Sequence, residues 1–558
     1  MSVFRPENPL IVQGDHTVLA EVDGPRYVEA RDRLSRFAEL IKSPEHIHTY
    51  RITPLSIWNA AAAGVATAEI LDTLEQFSKY EVPQNVVFEI RDLASRYGRL
   101  QLTRDAEHLV LTAADRPLAE EISRHKHVAP LLVERLSNTE FHVAAIHRGS
   151  LKQALLKAGF PVEDLAGYRE GEPLEIVLRE QTLSGNAFRL RSYQSDAADI
   201  FHAAGAARGG SGVIVLPCGA GKTIVGLACM AKLQTSTLIL TTNVTATRQW
   251  CGEILDKTML HEDQVGEYNG SHKDVLPVTV ATYNIMTWRE NKHAPFKHLE
   301  LFDQRDWGLI IYDEVHLLPA PVFQVTAGLQ ARRRLGLTAT LVREDHREDD
   351  VFALIGPKKV DVPWKVLEKQ GWIASACCTE IRLPLPESGR MPYAVADRRQ
   401  KFRLASENPD KLDVVREILQ QHSGEPTLVI GMYVEQLNEI AKQLDVPVIT
   451  GTTSQLKRDR LFEDFKSGRL QTLVVSKVAN FAVDLPDASV AIQISGTFGS
   501  RQEEAQRLGR ILRPKAGQNQ AHFYTIVSRD TVEQEFAHKR QLFLCEQGYA
   551  YDIVNKEE

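Results

Sequence analysis

From Phe188 onward the chain alternates short apolar runs with helical stretches, and that rhythm restricts its fold more than any other feature of its 558 residues. Apolar runs stand at 212–216, 237–241, 278–282, 308–312 and 334–337, then again at 427–430, 448–449, 473–475, 491–494 and 522–526. Short runs rich in Val, Ile and Leu, separated by helices, predict strands buried on both faces and therefore parallel sheets. Two series predict two doubly wound sheets in tandem. Ligands of such sheets sit beyond the carboxyl ends of the strands, so the loops that follow the strands are where chemistry is expected.

Two of those loops carry it. Pro217-Cys218-Gly219-Ala220-Gly221-Lys222-Thr223 follows the first run and opens an apolar helix through Ile224, Val225, Leu227 and Met230. Unpaired N–H groups at a helix start can wrap phosphate oxygens, and glycine lets the chain approach the anion closely. Lys222 is expected to reach the β- and γ-phosphates of ATP, and the Thr223 hydroxyl to bind magnesium. The run 307–312 delivers Asp313-Glu314-Val315-His316 at its carboxyl end. There Asp313 is expected to hold the magnesium and Glu314 to polarise the attacking water. Alone, Gly-Lys-Thr is a surface turn and Asp-Glu a solvated face. Placed in this order, each behind a buried strand, they are a nucleotide site. The strict phosphate-loop pattern wants glycine where this chain has Leu216, and the shortened loop fits the motors of superfamily 2 better than GTPases or kinases.

Further pieces fit around that pair. Arg191-Ser192-Tyr193-Gln194 precedes the first long helix, and Gln194 offers the donor and acceptor that an adenine edge needs. Thr242-Asn243 and Thr282-Tyr283 lie just past two strands, and such hydroxyls and amides bind nucleic-acid phosphates without reading sequence. Leu337-Thr338-Ala339-Thr340 ends another strand and could couple the phosphate site to a DNA face. Near the C-terminus Gln506, Arg510 and Arg513 share one helix face by their spacing of four and three. The two guanidiniums can then point together at a γ-phosphate, and one such arginine is worth about 10³–10⁵ in turnover.

The segment 1–98 reads as two short strands, 10–12 and 18–22, followed by helices that include 26–40 and 54–63. His46 and His48 have no carboxylate or cysteine cluster beside them and read as structural. The segment 99–182 reads as an α+β unit: a hairpin at 100–102 and 109–112, helices near 118–122 and 151–158, strands near 131–134 and 141–146, and a closing strand at 175–178. Arg148, Lys152 and Lys157 make either a phosphate-facing patch or a solvated helix face. The expected fold is therefore α/β: two tandem RecA-like doubly wound domains, at 183–362 and 363–558, preceded by two smaller α-rich or α+β domains.

Composition constrains the partners. A net charge of −7 confines any DNA contact to a local positive cleft and predicts a modest, salt-dependent affinity. Six scattered cysteines without a Cys-x-x-Cys spacing argue against zinc and disulfides, and no apolar stretch reaches membrane-spanning length. The start, Met1-Ser2-Val3-Phe4-Arg5-Pro6-Glu7, lacks the sections of a signal peptide, so a cytoplasmic, nucleoid-associated protein is expected.

With these residues in place the chain resembles the XPB family of superfamily 2 DNA repair helicases, in its bacterial branch, almost end to end. General helicase marks are 219–223, the DEVH box 313–316, 337–340 and 506–513; a more specific one is Thr340-Leu341-Val342-Arg343-Glu344-Asp345. Further matches are Leu354-Ile355-Gly356-Pro357, Val483-Asp484-Leu485-Pro486, the run 494–507, Pro9-Leu10-Ile11-Val12-Gln13 and His46-Ile47-His48-Thr49-Tyr50-Arg51. The resemblance implies ATP-dependent unwinding or translocation on DNA, 3′ to 5′, at single-strand/duplex junctions. It assigns Arg343, Glu344 and Asp345 to strand separation, Asp484 to the nucleotide site, and 99–182 to a damage-recognition-like domain. It leaves Pro386 to Glu407 as the short stretch from which a thumb-like insertion would be built. It also suggests a nuclease or repair partner. The rival reading is an ATP-gated clamp, or a duplex translocase, that recognises distorted DNA and recruits a partner.

Overall fold

The computed structural model describes residues 4–42, 46–105, 108–206, 209–291, 294, 296–302, 304–329, 332–339, 348–362, 364–476, 488–496, 504, 507–509, 511–512 and 519–557. They divide into two units: Met1–Leu216 with Gly221–Val362, and Pro363–Glu558 with Pro217–Ala220. Among the described residues no helix is long and apolar enough to cross a membrane.

The first unit begins with an antiparallel sheet of β1 (Leu10–Val12), β2 (Thr17–Glu21), β3 (Glu39–Lys42) and β4 (Ile47–Arg51), ordered β1-β2-β4-β3. The helix expected over 26–40 stops at Leu34, because β3 sets the buried Leu40 opposite the buried Tyr50. The helix Pro54–Ala62 starts in a reciprocal cap: Ser56 N–H donates to Thr53 Oγ1 at 3.1 Å and Thr53 N–H to Ser56 Oγ at 3.0 Å.

A second sheet joins β5 (Leu100–Asp105), β6 (His108–Ala113), β7 (Leu132–Arg135), β8 (Glu140–Val143) and β9 (Val162–Asp164), ordered β7-β8-β6-β5-β9. Here β9 takes the closing place expected of 175–178. That later segment instead runs along the first parallel sheet. Glu172 N–H donates to Asp306 O (2.8 Å), Leu174 N–H to Gln234 O (3.0 Å), Ser236 N–H to Glu172 O (2.8 Å) and Arg179 N–H to Lys257 O (2.9 Å). Gly171, at φ +79°, crosses Gly308 so closely that a Cβ on it would lie 2.3 Å from the Gly308 nitrogen.

The helix Arg148–Lys157 corrects another expectation, since Arg148 and Lys152 face neither phosphate nor solvent. Arg148 holds both oxygens of Asp164, at 2.7 and 3.0 Å, and Lys152 lies 3.1 Å from Asp164. Burial, only partly offset by Asp164, pushes the Lys152 ammonium down to about 8. Burial acts to raise the Asp164 carboxyl, but Lys152 and Arg148 outweigh it and hold it well below the carboxylate range. Nearby, Trp58 and Leu156 pack into one core with Val213, Trp307 and Tyr312 of the parallel sheet. Gln153 Nε2 donates to Asp350 Oδ1 at 2.8 Å, and Lys358 N–H to Asn59 Oδ1 at 3.2 Å.

That sheet consists of β10 (Ser211–Val215), β11 (Thr237–Thr241), β12 (Val265–Tyr268), β13 (Val278–Thr282), β14 (Leu309–Asp313), β15 (Arg333–Thr338) and β16 (Lys358–Asp361), ordered β12-β13-β11-β14-β15-β10-β16. The second unit contains β17 (Ser375–Leu383), β18 (Thr427–Gly431), β19 (Val448–Ile449), β20 (Thr472–Ser476), β21 (Val490–Gln493), β22 (Gln520–Ser528) and β23 (Tyr551–Asn555), ordered β19-β20-β18-β21-β22-β17-β23. All pairs in both sheets are parallel. Numbered from its own first strand, each sheet has the order 3-4-2-5-6-1-7. The ten apolar runs all form strands, and β12, β16, β17 and β23 are additions. The stretch after β17 folds as two helices, Glu387–Val395 and Arg398–Ser406.

Candidate active site

The site is built at the carboxyl ends of β10, β14 and β15. Leu216 N–H donates to Thr338 O at 3.0 Å, which pins the loop's entry. Gly219 (φ +82°) and Gly221 (φ +81°) then turn the chain into the helix Lys222–Leu233. Gly221 has a second reason to lack a side chain, since a Cβ there would meet Gln194 Nε2 at 2.6 Å. Gln194 is 4% exposed, and its Oε1 accepts the Arg191 N–H at 3.0 Å. Arg191 Nη1 donates to Tyr193 Oη at 3.1 Å. Arg191, Tyr193 and Gln194 are thus knotted together beside the glycine loop.

Asp313 and Glu314 end β14 within reach of Lys222. The Lys222 ammonium lies 2.8 Å from Glu314 Oε1, with side chains 13% and 17% exposed. Glu314 sits at φ 47°, a left-handed conformation that costs a non-glycine residue about 1–3 kcal/mol. Its N–H donates to Asp313 Oδ1 at 3.1 Å, and the Trp250 indole N–H donates to Asp313 Oδ2 at 3.0 Å. Burial, then the neighbouring Glu314, push the Asp313 carboxyl up to about 6. Burial also acts to raise Glu314, but Lys222 and then His316 outweigh it and hold that carboxyl below its ordinary value. His316 Nδ1 shares a hydrogen bond with Thr338 Oγ1 at 2.7 Å and lies 3.5 Å from Glu314 Oε2. A half-buried carboxylate that resists ionising beside a second carboxylate is suited to a divalent cation, whose charge relieves both. Asp313 would hold magnesium, with Thr223 at the start of the same half-buried helix turn as Lys222.

The expected DNA contacts separate into two kinds. Thr242 and Asn243 are half-buried; Asn243 Oδ1 accepts the Ala246 N–H at 2.9 Å and its Nδ2 donates to Thr242 Oγ1 at 2.9 Å. Thr282 and Tyr283 are buried, which corrects the expectation that their side chains face a phosphate backbone. Thr282 Oγ1 accepts the Ile285 N–H at 3.3 Å, and the Tyr283 hydroxyl donates to the Asp313 carbonyl at 2.9 Å. Thr282 thus holds its own loop, and Tyr283 ties that loop to the end of β14. Arg343, Glu344, Asp345, Asp484, Gln506, Arg510 and Arg513 lie outside the described residues. Between them, Arg507 is buried with Nη1 donating to Gln493 Oε1, and Gln493 Nε2 donates to Glu504 Oε2 at 2.9 Å. Trp250 was not anticipated. Its signal in the sequence was Gly226, a glycine inside the helix that follows the phosphate loop, where a Cβ would lie 2.5 Å from the Trp250 ring.

The chain resembles known proteins over nearly its whole length. A bacterial relative from Kineococcus radiotolerans, described as DNA 3'-5' helicase XPB, is 55% identical over 99% of this chain and 97% of its own length. One of the same description from Mycobacterium tuberculosis is 53% identical over 99% of this chain and 98% of its own. The chain belongs to the XPB helicase family. A more distant member from Antonospora locustae, described as a general transcription and DNA repair factor IIH helicase/translocase subunit, is 33% identical over all of this chain and 83% of its own. Three family models match in parts: ERCC3/RAD25/XPB C-terminal helicase at 367–558, type III restriction enzyme res subunit at 187–343, and a helicase conserved C-terminal domain at 10–137.

Proposed function

We propose that this protein is an ATP-dependent DNA helicase or translocase that moves 3′ to 5′ and acts in DNA repair. Its full-length relatives are described as DNA 3'-5' helicases, and the two parallel sheets are of the RecA-like kind. The single observation that carries the mechanism is the Lys222–Glu314 contact of 2.8 Å beside the half-buried Asp313. The γ-phosphate of ATP competes with Glu314 for the Lys222 ammonium. Once released, Glu314 is a free carboxylate placed to take a proton from the attacking water. Asp313 and Thr223 would hold magnesium, which would supply positive charge to offset that of the phosphates. Gln194 with Arg191 is assigned to adenine, the 217–221 loop and Asp484 to the nucleotide, and Gln506, Arg510 and Arg513 to the γ-phosphate in the transition state. Thr242 and Asn243 are assigned to the DNA backbone, and Arg343, Glu344 and Asp345 to parting the strands.

On this reading the chain divides into an accessory domain at 1–98, a damage-recognition-like domain at 99–182 and motor domains at 183–362 and 363–558. Its partners are DNA junctions and a nuclease or repair protein, and it works in the cytoplasm at the nucleoid. A strand-displacement assay on a 3′-tailed duplex tests the helicase assignment, with Glu314→Gln as the inactive control. Displacement by the wild type alone is expected. ATP turnover without displacement would reduce the protein to a duplex translocase or a clamp.

A further inference from the structure

Asp313 is held from three directions, and two of the groups that hold it come from elements beginning at the loops beside it. Its Oδ2 accepts the Trp250 indole N–H at 3.0 Å, its Oδ1 accepts the Glu314 N–H at 3.1 Å, and its carbonyl accepts the Tyr283 hydroxyl at 2.9 Å. Trp250 is 2% exposed and lies on the helix Val244–Lys257, which Asn243 caps at the end of β11. Tyr283 is 3% exposed and begins the helix Tyr283–Met286, which Thr282 caps at the end of β13.

The chemistry of the donors matters. An ammonium or guanidinium against Asp313 would neutralise it and compete with a cation. Indole and phenol are neutral, donate one hydrogen each in these bonds, and leave the carboxylate its charge. Each is also rigid. The Trp250 ring is locked against Gly226, where even a methyl group would lie 2.5 Å from it, so its N–H has a single direction. We infer that Trp250 and Tyr283 are positioning residues: they orient Asp313 for the divalent cation of the nucleotide, Trp250 through the carboxylate and Tyr283 through the main chain. The inference rests on the assignment of Asp313 as the metal carboxylate. It also gives Asn243 and Thr282, at the heads of the two helices, a mechanical route to the metal ligand.

The test uses the full-length protein with Trp250→Phe, Tyr283→Phe and Asp313→Asn. Binding of ADP alone and of ADP with Mn²⁺ is measured by calorimetry, and the bound Mn²⁺ by electron paramagnetic resonance. Removing an outer partner of a metal ligand typically weakens metal binding about 10–100-fold, and that loss is expected for Trp250→Phe, with a smaller one for Tyr283→Phe. Binding of ADP without metal should be unchanged. In turnover, the Mg²⁺ concentration for half-maximal rate should rise while the rate at saturating metal stays close to wild type. Wild-type emission should also change when Mn²⁺ joins bound ADP, and Trp250→Phe should lose that change. If both phenylalanine variants bind Mn²⁺ with ADP as the wild type does while Asp313→Asn does not, the positioning role is overturned and the metal assignment stands. Equal weakening of ADP binding with and without metal would show a merely structural role and overturn it too. If Asp313→Asn keeps wild-type Mn²⁺ binding, the metal assignment itself fails and takes the inference with it.

Discussion

The two parallel sheets share the order 3-4-2-5-6-1-7, yet their carboxyl ends hold opposite kinds of ion pair. In the first, Lys222 and Glu314 meet at 2.8 Å with 13% and 17% of their side chains exposed. In the second, Lys411 and Glu533 meet at 2.7 Å with neither exposed. The Lys411 ammonium also donates to Ile494 O, just past β21, and Glu533 accepts the N–H of Ser528 at the end of β22. The first pair can exchange its partner for a phosphate. The second is closed off by its surroundings and fixes the ends of its strands to one another. The same topology therefore gives a reactive edge in one unit and a fastened edge in the other, and the difference lies in access rather than in residue type.

The largest effect expected from this contrast is in turnover. Lys222→Ala should lower ATP hydrolysis by about 10²–10³-fold in a coupled assay with DNA present, with the unfolding transition little changed. A smaller loss would mean that Lys222 is as structural as Lys411. Next comes Lys411→Met, which strands Glu533 in the interior and should destabilise the second unit by about 3–5 kcal/mol in denaturant melts. The double replacement Lys411→Met with Glu533→Leu removes both charges and should recover most of that loss. A double variant as unstable as the single one would show that the pair contributes more than mutual neutralisation.

The subtlest effect is one of pH. The Asp313 carboxyl lies near 6 against an ordinary 3.8, because burial and then Glu314 raise it. A raised acid binds its proton more tightly folded than unfolded. Its contribution to stability is therefore full below the unfolded value and is lost as pH rises through about 6. Asp313→Asn should abolish the stability component; if melts of the two proteins change in parallel between pH 4 and 6.5, Asp313 is not the group responsible.

Much of this was legible in the chain. Strands buried on both faces announce themselves as unbroken apolar runs, which is why β10, β11, β13, β14 and β15 and the central strands of the second sheet could be placed. Three of the missed strands, β12, β16 and β23, lie at sheet edges, where one side meets solvent and Lys358 or Asp552 is tolerated. β17 lies inside its sheet but carries Glu380, whose charge is met by Gln541 and Arg382, contacts that no local pattern foretells. Asp313, Glu314 and Lys222 could be named because loops behind buried strands have few other uses. Trp250 could not, and Tyr283 was named only as a phosphate contact, since the hydrogen bond each makes is to a partner 63 or 30 residues away. Arg148 and Lys152 misled for the same reason: a cation's partner is set by the tertiary fold.

The crossing of Gly171 over Gly308, with the hydrogen bonds on either side of it, bears on how the protein can be taken apart. A chain begun at residue 183 would leave the Ser236 N–H and the carbonyls of Gln234 and Lys257 without these partners, and would open the socket that Trp58 and Leu156 fill. Such a fragment should precipitate. A protease nick between the amino-terminal sheets and the motor, by contrast, should release nothing, and both pieces should travel together through a sizing column.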